Sequence, residues 1–590
     1  MSLAGILRET PLLAGMGEDA VDELAALAQP LGLRSGDVLY VEGELPDAVY
    51  FVTNGRLVAT AGDALVGYIG RGEPVGEMGA VTRAPRAATI RAIRDTVVLR
   101  IASDDFTAFL DRHGRAAMAL SRLMIDRLRQ QGRSRMQSAT EVQGTFAVIP
   151  ATPDVPVMAL AEALVHRLGG WPHARLISAA HVDAALGEAA AQAPLADHAA
   201  SAHLVDWLSA LERRHRYLVL AADSGGDGWA LRCLHNADRV LVLAEAAVPP
   251  AAIPVLEELR AGGAPVELVL LRPDGDPSPY TLQWRERTGA RAHYFVHPWD
   301  EGELASMARQ VTGRGVGLVL GGGGARGFAH IGLMRALEQL CIPIDVAGGT
   351  SMGAFISGLV ALGLDSTEMA EVARETFVRA NYLNDYAMPR VSLLRGRKFA
   401  ARLLEIFGER QIEELRRTYF CVSTSLTTGA TVVHDRGPLA VWVGTSMAVP
   451  GVAPPIAFEG ELLVDGGVVD NLPTDVMQGL ERGSIIASNV STEGDIRLPG
   501  AGIGQPDPEA LLGFRRADNA PHLAEILVRS ATLTSATTVQ LAAERADVYL
   551  KMPSEGYGMF DWKRLDELVE RGYDYALEQL EPVRDALIRQ

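Results

Sequence analysis

The sequence predicts an α/β protein in three parts: an N-terminal β-roll, a middle layer with a mostly parallel sheet, and a second α/β layer that closes in helices. Three observations predict it. Short apolar runs broken by turn residues crowd the first part, as in Asp37-Val-Leu-Tyr-Val, Ala48-Val-Tyr-Phe-Val and Arg56-Leu-Val-Ala-Thr around the turn Thr53-Asn-Gly. From Phe146 onward, strand-like runs alternate with helical stretches. Beyond Arg314, two glycine-rich turns each follow an apolar strand and open a helix.

The first region, 1–137, begins with an amphipathic helix from Glu18 to Gln29 and continues into the roll. Ser103, before Asp104-Asp105-Phe106, is placed to cap a helix. An Arg-rich amphipathic helix then runs through Leu120-Ser-Arg-Leu-Met-Ile-Asp-Arg-Leu, and the polar stretch that follows reads as a linker over 138–145. Region 146–312 carries strand runs at Phe146-Ala-Val-Ile, Arg175-Leu-Ile, Tyr217-Leu-Val-Leu, Arg239-Val-Leu-Val-Leu and Val266-Glu-Leu-Val-Leu-Leu. It lacks the GxxxxGK[ST] loop a nucleotide triphosphatase needs. Region 313–590 opens with Val316-Gly-Leu-Val-Leu and has later strands at Ile344-Asp-Val-Ala, Glu461-Leu-Leu-Val and Ser484-Ile-Ile-Ala-Ser-Asn-Val. Helical stretches at Leu523 to Ala543 and Trp562 to Arg589 close it.

Composition excludes several classes. The 590 residues are 48% hydrophobic and 22% charged, enough for several cores. A net charge of −18 argues against nucleic acid as a partner. Cys233, Cys341 and Cys421 are too scattered for a disulfide framework or a zinc site, and no metal site is expected. Arg8, Glu9 and Glu18 interrupt what a signal peptide would keep apolar, so a cytoplasmic location is expected. Val346 to Leu364 is uncharged over 19 residues, but five glycines and three Ser or Thr residues point to a buried strand, a tight turn and a helix rather than a membrane span.

Gly349-Thr-Ser-Met-Gly fits the strand-to-helix elbow G-x-S-x-G, whose glycines Gly349 and Gly353 leave room for a sharp turn that lifts Ser351 out of the sheet. Gly444-Thr-Ser-Met-Ala is a near miss: Ser446 lacks the second glycine, Pro450 interrupts the following run, and a structural role is expected. Upstream, Gly322-Gly-Gly-Ala-Arg-Gly327 can aim backbone N–H groups at the oxygen of a tetrahedral intermediate. The same string fits G-x-G-x-x-G with Asp345 downstream, so a dinucleotide site stands as a rival. A Ser-Asp-His order would need a histidine after the acid, which leaves only His522; His330 and His434 come too early. Asp465 ends an apolar strand and is followed by Gly466 and Gly467; partly withdrawn from water, it could take a hydroxyl proton directly.

In the first region, Gly76-Glu-Met-Gly-Ala-Val-Thr-Arg-Ala-Pro-Arg-Ala-Ala-Thr offers Arg86 as a two-pronged phosphate cation and Glu77 as an acceptor for a ribose hydroxyl.

Three resemblances follow. Gly322-Gly-Gly-Ala-Arg-Gly, Gly349-Thr-Ser-Met-Gly and Asp465-Gly-Gly, in this order, resemble the patatin-like phospholipase family. That resemblance implies a Ser351–Asp465 dyad, an oxyanion hole at Gly322, Gly323 and Gly324 ordered by Arg326, no catalytic cofactor, and lysophospholipid, phospholipid or ester substrates. The Gly76 string, with Gly43-Glu-Leu-Pro-Asp and Gly55, resembles cyclic-nucleotide-binding domains, which assigns Gly76, Glu77, Arg86, Ala87 and Ala88 to the ligand. Ala87 lacks the hydroxyl of guanine-selective members, which favours cAMP over cGMP as a regulatory ligand. A nucleotide domain ahead of a patatin domain, joined by Tyr217-Leu-Val-Leu-Ala-Ala-Asp and Cys233-Leu-His-Asn-Ala-Asp, is similar to the neuropathy target esterase family. The expectation is a cAMP-regulated lipid hydrolase; the alternative is a nucleotide sensor with an inert hydrolase domain. Transient contact with the inner membrane face and a homo-oligomer are compatible with either.

Overall fold

A computed structural model describes the chain apart from residues 1–2, 9, 14–15, 63, 132–143, 153, 196–197, 225, 251–252, 273–278, 298–299, 381, 389, 493–534 and 589–590. It forms two compact units, one of residues 1–133 with 141–308, the other essentially 309–590.

The first unit opens with the roll. Strands β1 (Gln29–Leu33), β2 (Val38–Tyr40), β3 (Ala48–Asn54), β4 (Leu57–Ala61), β5 (Ala64–Ile69), β6 (Pro74–Val75), β7 (Thr89–Ala92) and β8 (Thr96–Ala102) make two antiparallel sheets, ordered β1-β8-β3-β6 and β2-β7-β4-β5. β3 is apolar from Ala48 to Val52 because both its faces are covered. Val49 and Phe51 pack with Val21, Leu24, Phe106 and Phe109 of the flanking helices, while Ala48, Tyr50 and Val52 face the inside of the roll with Tyr40, Leu57 and Ile90. The first of these helices spans Glu18–Leu27, ending before Gln29 because that residue enters β1. Ser103 begins the helix Ser103–Arg112 but does not cap it; its hydroxyl donates to Pro46 O at 3.2 Å.

The middle layer is a six-stranded, wholly parallel sheet of β9 (Gly144–Pro150), β10 (Ala174–Ile177), β11 (Tyr217–Ala221), β12 (Arg239–Glu245), β13 (Val266–Leu271) and β14 (Ala292–Val296), ordered β10-β11-β9-β12-β13-β14. β9 starts at Gly144, inside the stretch read as linker; most of that stretch lies outside the described residues. Ion pairs tie roll to sheet: Arg94 Nε meets Asp238 Oδ1 at 3.2 Å, and His235 Nδ1 lies 2.9 Å from Asp95 Oδ1.

The second unit is built on β15 (Gly315–Leu320), β16 (Val346–Thr350), β17 (Thr418–Ser425), β18 (Thr431–His434), β19 (Ile456–Phe458), β20 (Glu461–Asp465), β21 (Gly483–Asn489) and β22 (Val548–Lys551). The sheet order is β19-β20-β17-β16-β15-β21-β22, with β18 paired to β17. β15, β16, β17, β21 and β22 run parallel; β20 is antiparallel to β17 and sets Asp465 opposite Ser423. Helices Ala329–Gln339, Met352–Leu362 and Leu565–Leu580 supply most of the apolar cover. Val346 to Leu364 is thus a buried strand, a turn and a helix, and no helix among the described residues is long and apolar enough to cross a membrane. Of the expected helix Leu523 to Ala543, the described part belongs to Ser535–Arg545; the rest lies outside the described residues.

Candidate active site

Ser351 is set by its backbone. β16 ends at Thr350, the helix begins at Met352, and Ser351 between them takes φ 55° and ψ −121°. A side chain in the left-handed region costs of order 1–3 kcal/mol and persists only where its surroundings enforce it. Here the enforcement is the carboxyl end of β15. A Cβ at Gly349 would lie 2.4 Å from Leu320 O, and one at Gly353 2.0 Å from the same oxygen. Strand and helix therefore close on β15 only if both positions are glycine. The Ser351 amide donates to Ser446 Oγ at 2.9 Å, and Ser446 is fully buried. The near miss in the sequence is thus the residue that holds the elbow from behind.

The first glycine turn lies against the second: a Cβ at Gly322 would come 2.9 Å from Ser351 Cβ. Its neighbours are anchored. Gly321 N donates to Ser488 O at 2.9 Å, and Ala325 N to Met559 O at 2.9 Å. Between them, the amides of Gly322, Gly323 and Gly324 have no hydrogen-bond partner among the described residues. Gly324 has φ +59°, and a Cβ there would stand 2.4 Å from Met559 O. Arg326 is buried and its Nε donates to Tyr557 O at 2.7 Å, so it orders the loop through the C-terminal segment. A Cβ at Gly327 would strike Met352 Cγ at 2.3 Å, which packs the turn against the Ser351 helix.

Asp465 completes the cluster. It ends β20, is 5% exposed, and its pKa is raised to about 6. Burial is the main cause; a hydrogen bond with the Ser351 side chain and one from the Gly467 amide, at 2.8 Å to Oδ1, pull the other way. A Cβ at Gly466 would lie 2.5 Å from Val422 O, and one at Gly467 2.9 Å from Asn471 Oδ1, so the two glycines let the acid sit close to β17. The cluster thus joins the Ser351 hydroxyl, a buried carboxyl with its pKa raised to about 6, and three amides without a partner among the described residues.

The two described candidate histidines serve elsewhere. His330 is buried under the first turn with Nε2 2.9 Å from Gly321 O and Nδ1 3.0 Å from Ser488 Oγ, and burial lowers its pKa to about 4. It is neutral, donating from Nε2 to the carbonyl and accepting from the serine. His434 stacks on Trp442 and meets Ser423 Oγ at 2.7 Å. His522 lies outside the described residues. The dinucleotide reading fails on Asp345. That residue precedes β16, at the opposite end from the glycine turns, and Arg309 holds it with Nη2–Oδ1 at 2.6 Å and Nε–Oδ2 at 3.0 Å.

In the roll, Gly76 takes φ +82° at the start of the short helix Glu77–Thr82. Arg86 is 4% exposed; Nη1 donates to Gly76 O at 3.0 Å, Nη2 to Ala48 O at 2.7 Å, and the guanidinium lies 4.0 Å from the centre of the Tyr40 ring. Its Nη2 also faces Asp47 at 3.3 Å. Glu77 is buried, Ala87 is exposed and Ala88 half-buried. Gly76 and Arg86 are thus brought together: a Cβ at Gly76 would lie 2.3 Å from Arg86 Nη1.

Three family models match the chain: a cyclic nucleotide-binding domain over residues 31–113, a neuropathy target esterase (NTE) family P-loop-like domain over 143–310, and a patatin-like phospholipase over 318–477. An NTE family protein of Mycobacterium tuberculosis (strain CDC 1551 / Oshkosh) is 32% identical over 573 residues, covering 96% of this chain and 94% of the relative. The chain belongs to the NTE family. Lysophospholipase nte1 of Aspergillus fumigatus is 29% identical over 647 residues, and the chain spans 42% of that longer protein. Patatin-like phospholipase domain-containing protein 6 of Pongo abelii is 30% identical over 612 residues, with 92% of this chain and 44% of the relative covered. Among solved structures, the catabolite activator protein of Thermus thermophilus matches at 25% identity and TM-score 0.20, over 27% of this chain and 71% of that one. As an NTE-family protein, the chain carries a hydrolase domain of the phospholipase and esterase class behind a cyclic nucleotide-binding roll. Its middle sheet is of the P-loop-like type without the lysine-bearing loop.

Proposed function

We propose that this NTE-family chain cleaves acyl esters of lysophospholipids and phospholipids through a Ser351–Asp465 dyad, under the control of cAMP held in the roll. The observation that carries the reading is the strained elbow that presents Ser351 together with the buried Asp465 carboxylate, whose pKa is raised to about 6. Ser351 Oγ attacks the ester carbonyl as its proton passes to Asp465. The carbonyl oxygen, now an anion, is met by the amides of Gly322, Gly323 and Gly324. Collapse breaks the ester bond. Asp465 returns the proton to the departing glycerol hydroxyl and leaves an acyl-serine. Water then attacks this ester, its proton going to Asp465, and the fatty acid departs as Ser351 recovers its hydrogen.

Ser446 is a positioning residue in this scheme, since it fixes the Ser351 amide and touches no reacting atom. Ser446→Ala is expected to lower kcat about tenfold with KM little changed. Ser446→Thr, which keeps an acceptor oxygen, should restore part of it. Equal loss in both variants, with intact folding by circular dichroism, would deny the positioning role.

Hydrolysis of a lysophospholipid panel, with and without cAMP or cGMP, tests the function as a whole. Fatty acid release is expected, altered by lower concentrations of cAMP than of cGMP. Arg86→Lys keeps the charge but loses the fork, and should weaken the cAMP response about 10- to 100-fold while basal turnover stays. Absence of release from every member of the panel would end the enzymatic reading. A rate that neither nucleotide changes would end the regulatory one.

A further inference from the structure

In a chain of net charge −18, the segment from Arg379 to Arg402 carries six cations and one acid. The outer cations are paired, Arg379 with Glu371 and Arg402 with Glu405. The inner ones are not. Arg390, Arg395 and Arg397 are exposed and form no ion pair among the described residues. Lys398 is exposed and, among the described residues, its Nζ reaches only Asn384 Oδ1, at 2.8 Å. The single acid, Asp385, faces inward to the amides of Gly396 and Lys398 at 3.3 and 3.2 Å.

Apolar side chains stand among these cations: Tyr386 is 72% exposed, Met388 81% and Val391 66%. They are presented by an ordered turn-back. Tyr386 bridges Leu394 antiparallel, and Ala387 N and Arg395 N donate to Leu393 O and Asp385 O at 2.9 and 2.8 Å. Leu404, 54% exposed, extends the surface along the same helix face as Arg397. The backbone of this surface is tied to the segment that backs the candidate site. Leu393 N and Leu394 N donate to Gly451 O and Val452 O, both at 2.9 Å. The same stretch of chain carries Ala448, whose carbonyl takes the Asp465 amide at 2.9 Å, and Ser446 behind Ser351.

We propose that this surface docks the protein on an anionic lipid bilayer, Met388 and Val391 entering the headgroup layer while Arg390, Arg395 and Arg397 meet lipid phosphates. Exposed large apolar groups interleaved with unpaired cations match both the apolar interior and the negative face of such a bilayer. A nucleic acid would use the cations but not the methionine and valine. This docking rests on the acyl-ester reading for its choice of lipid, and its test reads binding alone.

Full-length Ser351→Ala protein is to be co-floated with vesicles of phosphatidylcholine, with or without phosphatidylglycerol. Binding is expected only when phosphatidylglycerol is present, and should weaken as salt rises. Arg390→Ala, Arg395→Ala and Arg397→Ala together should lower it about 100-fold, at about fivefold per cation. Met388→Ser with Val391→Ser should lower it about tenfold. With Ser351 restored, the triple-arginine variant should cleave a water-soluble short-chain ester as the parent does. Equal binding by parent and variants, no preference for anionic vesicles, loss of the soluble-ester activity, or self-association abolished by the variants without vesicle binding would each overturn the proposal. Binding that behaves as expected in a chain that hydrolyses no lipid would remove the acyl-ester reading and leave the docking surface standing.

Discussion

Ser351→Ala is expected to lower lysophospholipid hydrolysis by about 10,000-fold or more while the protein stays folded. The size follows from the mechanism: without Oγ there is no acyl-enzyme, and the three glycine amides act on a carbonyl that only water can attack. The stability should barely move. Alanine at φ 55° carries the same backbone strain as serine, and the residue's amide still donates to Ser446. Ser351→Gly sharpens the expectation. Glycine relieves the strain, so this variant should be equally inactive yet melt higher than Ser351→Ala, by about 1 kcal/mol of stability. Measured side by side, the pair separates a strained catalytic elbow from an ordinary surface turn. Residual activity in either variant at a tenth of the parent rate would place the nucleophile elsewhere.

Asp465→Asn carries the second large effect, and its two parts have opposite sign. Activity should fall about 1,000-fold or more, because an amide cannot take the Ser351 proton. Stability at neutral pH should rise. A carboxyl with its pKa at about 6 in the fold, against an ordinary 3.8, holds its proton more tightly when folded than unfolded. Its charged form therefore penalises folding: the cost is absent below about pH 4, grows as pH rises to about 6, and is complete above that. The full cost is on the order of 3 kcal/mol. Asparagine removes the charge and keeps an oxygen for the Gly467 amide, so the variant should melt higher at pH 8 and no higher at pH 4. Asp470 is likewise raised to about 6, by burial first and by Asp475 next, but its Oδ1 accepts from Leu472 N. Asp470 should therefore contribute a pH dependence of the same sign that survives Asp465→Asn.

The parts of this site that were legible in the sequence are those made by local backbone demands. Gly349 and Gly353 stand beside Ser351 because of a clash with one oxygen of the neighbouring strand, and that demand writes a compact signature. Asp465 ends an apolar run and is followed by two close-packed glycines, also a local pattern. β17 left no such mark. Its second half, Ser423-Thr424-Ser425, is polar by composition yet fully buried, its hydroxyls answered by His434 and Gly466 from other parts of the chain. Apolar periodicity cannot find a strand whose polar groups are paired at long range. The four-residue β22 was equally silent, its place fixed only by pairing with β21. Ser446 and Tyr557 act across 95 and 231 residues, through hydrogen bonds with Ser351 and Arg326. The strand read at Ile344 begins instead at Val346, because Asp345 is drawn aside by Arg309 and the Val316 amide. In the roll, β3 was easy to see because both of its faces are covered, so its apolar run is unbroken.

The rate at which an alkyl fluorophosphonate modifies the full-length protein, followed by mass spectrometry from pH 4 to pH 9, tests the dyad most directly. The predicted result is one adduct on the Ser351 peptide, forming at a rate that climbs through about pH 6 and levels above it in the parent, and slowly without that step in Asp465→Asn. An adduct on another residue, or the same rising profile in Asp465→Asn, would contradict it.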